Sequence, residues 1–178
     1  MTDRISRAEL GGLLQRFRHS ARRLETRRNY VVENEQEPLR RFVAGQPDDY
    51  AWFQPWLNQI RQRTSDGAEF ERVRVVPEVL TDYLRFELEI SRHNVAAGEN
   101  IRYLDAARAR ALNFPDYDYY VFDKRTLALM YFTADDVPDG AQVVTDPAIV
   151  ASHRRWLDQA TEAAITHEEY VSMESTRG

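Results

Sequence analysis

Hydrophobic positions along the chain follow two periods, and these divide it into helices and strands. Near the N-terminus Leu10, Leu13, Leu14 and Phe17 recur at i, i+3, i+4 and i+7, the spacing of one helix face. Ser6, with Glu9 three residues on, gives this segment (6–19) a capping box. Gly11 and Gly12 oppose it by about 1 kcal/mol each. A second helical segment covers 33–44, with Leu39, Phe42 and Val43 on one face and Gly45 as its stop. A third covers 52–64. Its stripe is Phe53, Trp56, Leu57 and Ile60, Pro55 fits its first turn, and Asp66-Gly67 ends it. The clearest helix opens at Asp146-Pro147, with Asp146 as N-cap and Ile149, Val150, Trp156, Leu157, Ala160 and Ala164 as its stripe. Thr166 and Glu169 make a second capping box.

Period-two alternation is clearest at 70–76, where Phe70, Arg72 and Arg74 oppose Glu71, Val73 and Val75 and Pro77 ends the run. Shorter strand segments are 19–27, 101–105, 119–123, 127–132 and 141–145. The pair 119–123 and 127–132 reads as a hairpin around Asp123-Lys124-Arg125-Thr126. A short helix covers 106–112, and 133–140 is an acidic loop. Segment 77–98 carries both periods: Leu84, Phe86, Leu88 and Ile90 alternate, while Leu80, Tyr83, Leu84, Glu87 and Leu88 fit a helix. A strand of that length is unusual, and Pro77 and Gly98 bracket the segment, so it is read as a helix. These elements predict an α/β fold, a mixed sheet of about five strands flanked by helices, in a single domain over 1–178. Within it, 1–19 is a helical arm, 20–165 the body and 173–178 a frayed tail.

Composition narrows the function classes. With 43% hydrophobic and 30% charged residues the chain is an ordinary globular one. No apolar run approaches the roughly 18 residues of a membrane span. The first 14 residues lack a signal-peptide core. A cytoplasmic location with no membrane partner is expected. The absence of Cys removes disulfides, thiol catalysis and Cys-ligated metals. His19, His93, His153 and His167 are dispersed, so no cofactor or metal is expected. Charge is uneven: residues 1–28 hold eight Arg and a net +5, which leaves −10 for the rest of a chain whose net charge is −5. A basic arm on an acidic body suits docking onto its own chain or a second copy, hence a possible homodimer. Direct nucleic-acid binding is disfavoured, because within the arm only Phe17 could stack on a base and the chain as a whole is not basic.

Two residue sets could carry chemistry. Asp116, Asp118 and Asp123 lie close in sequence and could bind a divalent cation through oxygen ligands; equally, they could be a polar loop and a turn former. Arg22, Glu25, Arg72, Arg74, Arg85 and Glu87 form the second set. Arg72 and Arg74 are two apart on a strand, so they share a face. Such a pair could grip a carboxylate or phosphate, or could form an ion network with Glu25 or Glu87. No nucleophile elbow, Walker loop or dinucleotide fingerprint is present. Among Tyr117, Tyr119 and Tyr120 at least one must be exposed.

The spacing D-x-D-x-x-x-x-D of Asp116, Asp118 and Asp123 resembles the H-x-K-x-x-x-x-D signature of phospholipase D-like proteins, with Asp in place of the His nucleophile and of the Lys. Element order over about 50–165 is similar to one half-domain of that fold. The resemblance implies a non-catalytic relative and strands 70–76, 101–105 and 119–123 in one sheet. The segments His19 to Glu25, Phe70 to Val76, Asp82 to Glu87, Asn94 to Glu99 and Asp116 to Asp123 also resemble an uncharacterised actinobacterial family often encoded beside helix-turn-helix regulators. That second likeness implies a regulatory setting by association. The expected function is a non-enzymatic regulatory or ligand-binding protein acting with such a regulator. The alternative is a metal-dependent hydrolase or nuclease using the aspartates.

Overall fold

Beyond the predicted segments, two further strands extend the sheet. In a computed structural model, which describes residues 2–177, the chain runs β1 (Thr2–Ile5), α1 (Arg7–Arg16), β2 (Ser20–Glu25), α2 (Gln36–Val43), α3 (Gln54–Ser65), β3 (Glu69–Val76), α4 (Asp82–Ala96), β4 (Asn100–Asp105), α5 (Ala106–Ala111), β5 (Tyr119–Phe122), β6 (Thr126–Phe132), β7 (Pro138–Val144), α6 (Pro147–Ala163), β8 (Ile165–Thr166) and α7 (His167–Arg177). One open sheet has the order β1-β7-β6-β5-β2-β3-β4-β8. β2, β3 and β4 are parallel; the other pairs are antiparallel. The eight strands replace the expected five or so. β8 has only two residues, too few to show alternation, and β1 is mostly polar, so neither carries a readable period.

Both faces of the sheet are covered. On one, Ala21, Phe70, Tyr120 and Phe122 pack against Leu10, Phe17, Leu57, Ile60 and Phe86, which belong to α1, α3, α4 and the turn after α1. On the other, Leu24, Val73, Tyr119 and Val121 pack against Ala109 of α5 and Val150, Leu157 and Ala160 of α6. A third cluster joins Val76, Ile101 and Tyr103 to Leu84 and Tyr170. Coverage on both sides explains why β5 is buried at all four positions. Strands 70–76, 101–105 and 119–123 share the sheet, and β5 pairs antiparallel with β6, as the half-domain resemblance implied. Asp123 and Lys124 turn that hairpin with φ of 50° and 61°.

Several local expectations are corrected. The helical arm is part of the body: β1 pairs with β7, and Leu10 and Phe17 enter the core. A Cβ at Gly140 would lie 2.1 Å from the Ile5 carbonyl oxygen, so β7 needs glycine where β1 passes. The helix expected from Pro77 starts instead at Asp82, capped by the Thr81 hydroxyl, because Thr81 accepts from the Leu84 N–H. Val43, on the apolar face expected of 33–44, and Ile149, in the stripe expected of the helix opening at Asp146, are both exposed. The expected frayed tail is helical through Arg177. The capping boxes at Ser6–Glu9 and Thr166–Glu169 both form, and Tyr117 is the exposed tyrosine of its trio. Among the described residues no helix is long and apolar enough to cross a membrane.

Candidate ligand-binding site

At the middle of the sheet, β5, β2 and β3 lie side by side, and their alternation aims a set of charged side chains at the α1–α4 face. Register places Arg23 beside Arg72 on one side and Tyr120 on the other, with Glu25 beside Arg74. Arg23 and Glu25 are two apart on β2, as Arg72 and Arg74 are on β3, so all four share a face. Glu87 and Asn94 come down from α4. Gly98, at φ 107°, turns the chain after α4 and brings Glu99 back beneath it. Asp118, just before β5, completes the ring.

These groups form one buried network. Glu25 meets Arg23 at 2.7 Å, Arg74 at 2.5 Å and Arg72 at 3.5 Å. Arg74 also reaches Glu87 at 2.7 Å, and Arg72 reaches Glu99 at 3.1 Å. Asp118 accepts from the Tyr30 hydroxyl at 2.6 Å and from the backbone and side chain of Thr26, and Arg23 lies 3.3 Å away. Asn94 donates to Glu99 at 2.6 Å. Arg23 lies over the rings of Tyr30 and Tyr120, and Arg74 over Tyr30. Burial opposes ionisation of Glu25, yet the three guanidiniums overcome it and hold its pKa at about 2.

The network floors a cavity of about 300 Å³ whose walls include Leu10, Leu14, Trp52, Trp56, Ile90 and Met130. Glu35 borders it from the turn before α2. The Tyr83 hydroxyl lies 2.8 Å from Glu35 and 3.3 Å from Glu87. One hydroxyl proton serves one carboxylate at a time, so a second proton on Glu35 satisfies both contacts. Burial and the Glu87 carboxylate raise Glu35 to about 8, in line with this geometry. Glu99 is also raised, by burial, although Arg72 and Asn94 work against it. Arg23 Nε, Arg74 Nη1 and Asn94 Oδ1 are buried without a hydrogen-bond partner among the described residues. The floor thus offers free donors and one free acceptor.

The two sequence-derived sets are redistributed. Glu25, Arg72, Arg74 and Glu87 meet. Arg22 does not join them: one residue from Arg23, it faces the α6 side and pairs with Glu71 and Asp158 beside a second hollow of about 630 Å³. Arg85 lies exposed on α4 and pairs with Asp82. The aspartates separate. Asp116 is exposed, Asp118 belongs to the network, and Asp123 accepts from the backbone N–H groups of Arg18, His19 and Ser20 at 2.7–3.1 Å. Among the described residues no group of three His, Asp or Glu could hold a metal ion. Arg23, Tyr30, Glu35, Tyr83, Asn94, Glu99 and Tyr120 were missed. For Arg23 a signal existed, since its i, i+2 spacing to Glu25 repeats that of Arg72 and Arg74. Tyr30 and Glu35 lie in irregular or turn segments, where no period reports a facing direction.

The fold has known counterparts. It is similar to Nuc from Salmonella typhimurium, a phospholipase D family member, with a TM-score of 0.55, 10% identity, and 90% of this chain and 89% of that one covered. It is similar to NucT from Helicobacter pylori, with a TM-score of 0.54, 10% identity and coverage of 93% and 98%. It also resembles TrmBL2, an archaeal chromatin protein, at a TM-score of 0.51 and 11% identity; 92% of this chain is covered, and it spans about half (52%) of that protein. No curated protein matches the sequence. At such identities these likenesses establish the fold. Residues 8–172 match the domain of unknown function DUF6879, and the chain belongs to that family.

Proposed function

We propose that the protein is a non-enzymatic ligand-binding module whose cavity on the β2–β3 face captures a small molecule, and that it acts with a helix-turn-helix DNA-binding regulator. The observation that carries the first part is the cavity floor. Buried Arg74 and Asn94 each keep a polar atom unpartnered where apolar and aromatic walls converge. Apolar walls with a few convergent polar groups are the usual form of a small-molecule site, and 300 Å³ lies at the small end of that range. Support for the regulatory part is the fold likeness to TrmBL2, a chromatin protein whose structure shows a mode of DNA binding. Against direct DNA binding by this chain, four of the eight arginines of its first 28 residues, Arg4, Arg22, Arg23 and Arg27, are engaged by its own carboxylates. The hydrolase alternative draws on the fold likeness to Nuc, a phospholipase D family member, but its three aspartates do not converge: Asp118 and Asp123 hold separate partners and Asp116 is exposed.

The protein purified from its native host should release a small molecule on denaturation, detectable by mass spectrometry, and should carry the regulator with it. Leu14→Trp fills the cavity without touching the ion pairs and should lose the molecule. Equal small-molecule content in wild type and Leu14→Trp, with no regulator captured, rejects the reading.

A further inference from the structure

Resting on the ligand-binding reading, we infer that the cavity takes an apolar monocarboxylate carrying an amide or hydroxyl group, with the carboxylate on Arg7 at the mouth and the uncharged polar group on Asn94 and Arg74 at the floor. The unpartnered floor atoms define the inner end. Asn94 and Arg74 line the cavity and are almost fully buried. Asn94 commits its amide nitrogen to Glu99 at 2.6 Å, which leaves Oδ1 as an acceptor with nothing to accept from. Arg74 spends Nη2 on Glu25 and Glu87 and leaves Nη1 as a donor with no acceptor. One idle acceptor and one idle donor call for a group that gives one hydrogen and takes one. A secondary amide does so through its N–H and C=O, a hydroxyl through its single oxygen.

Charge defines the outer end. The floor guanidiniums are matched within the chain: Arg23 by Glu25 and Asp118, Arg74 by Glu87, and Arg72 by Glu99. A charged inner group of either sign would break that balance in a buried setting. Arg7 differs. It lines the same cavity, is exposed, and has no carboxylate partner among the described residues. The remaining acid of the lining, Glu35, shares the Tyr83 hydroxyl with Glu87 and keeps its own proton at neutral pH, so it neither neutralises Arg7 nor repels an anion. The lining therefore sets Arg7 and the three floor arginines against two ionised carboxylates, Glu25 and Glu87. Asp118 and Glu99 complete the floor's balance from behind it and leave Arg7 over. One negative charge at the mouth completes the site, and a carboxylate fits a guanidinium through two parallel hydrogen bonds. Between the two ends Leu10, Leu14, Trp52, Trp56 and Ile90 provide an apolar wall.

The test titrates three probes of one body into the full chain at neutral pH, followed by calorimetry. They are N-acetylphenylalanine (carboxylate and amide), N-acetylphenylalaninamide (amide without charge) and 3-phenylpropionate (carboxylate without the amide). N-acetylphenylalanine should bind several-fold tighter than either of the others. In Arg7→Gln it should bind no better than the uncharged probe, and in Asn94→Leu no better than 3-phenylpropionate, with circular dichroism showing each variant folded. If Asn94→Leu fails to fold, the ranking of the three probes on the wild-type chain decides the inner end alone. Equal or tighter binding of N-acetylphenylalaninamide, or a preference for the acid that survives Arg7→Gln, overturns the carboxylate on Arg7. Equal or tighter binding of 3-phenylpropionate overturns the amide or hydroxyl at the floor. Binding of none of the three overturns the inference, and the small molecule released from native protein decides the broader ligand-binding reading separately.

Discussion

Arg74 bridges two carboxylates from different elements, Glu25 of β2 and Glu87 of α4, with almost no exposure of its own. Removing it leaves both acids buried with fewer partners. Arg74→Ala should therefore cost about 3–5 kcal/mol in urea unfolding, whereas Arg85→Ala, whose pair with Asp82 is exposed, should stay within about 1 kcal/mol. The acids also set opposite pH dependences. Glu25 falls from 4.5 to about 2 on folding, so its contribution of about 3 kcal/mol is present above pH 4.5 and is lost as pH falls through 2. Glu35 rises from 4.5 to about 8, so between those values the native state holds the extra proton and stability declines as pH rises. Glu35→Gln should flatten the decline between pH 5 and 8 and leave the acid limb unchanged. An unaltered slope in chemical denaturation across that window would show that Glu35 titrates normally. At this scale the sequence was half legible: strand parity grouped Arg72 with Arg74 correctly. One residue of register excluded Arg22 in favour of Arg23, because β2 carries arginines on both faces and its few apolar positions do not fix which is which.

Among the elements, the hairpin of β5 and β6 is tied to the start of β2 by a single carboxylate. Asp123 receives three backbone N–H groups there, at the turn whose residues hold left-handed backbone angles. Burial pushes its pKa up, but those N–H donors prevail and lower it. Asp123→Ala should cost about 1–3 kcal/mol of stability. It should leave the amount of small molecule carried by the purified protein as in wild type, since Asp123 does not line the cavity. Gly140→Ala should be more severe, because its Cβ would meet backbone at 2.1 Å and would force β1 off β7. A crystal structure of the variant with β1 still paired would contradict this. Long amphipathic helices and the central strands could be read from sequence because they bury a repeating stripe. Edge strands could not: a two-residue β8 and a polar β1 are held by backbone pairing, which no side-chain period records. The start of α4 was misplaced for a related reason, since Pro77 suits a loop entry as well as a first helical turn, and the Thr81 cap decides between them.

Over the whole molecule, half of the eight arginines in the basic N-terminal region pair with carboxylates of the acidic body, while Arg7, Arg16, Arg18 and Arg28 stay exposed. Arg4 pairs with Asp139, Arg27 with Asp136, and Arg23 with Glu25 and Asp118. Phe17 packs edge-on to Phe70 of β3 and reaches Phe122 of β5, so the segment after α1 fastens the middle of the sheet. α1 also supplies Leu10 and Leu14 to the cavity wall. Removal of the first 19 residues is therefore expected to compromise folding of the rest. A chain beginning at Ser20 exposes Ala21, Phe70 and the Trp56 side of the cavity at once, a contiguous apolar surface that a free domain rarely tolerates. It should lose the cooperative thermal transition seen by circular dichroism, or melt well below the full chain, and its tryptophan emission should shift to the red. A truncated chain that unfolds cooperatively at the full-length temperature would mean that the arm is an appendage after all, and that the cavity is walled from one side by a detachable helix.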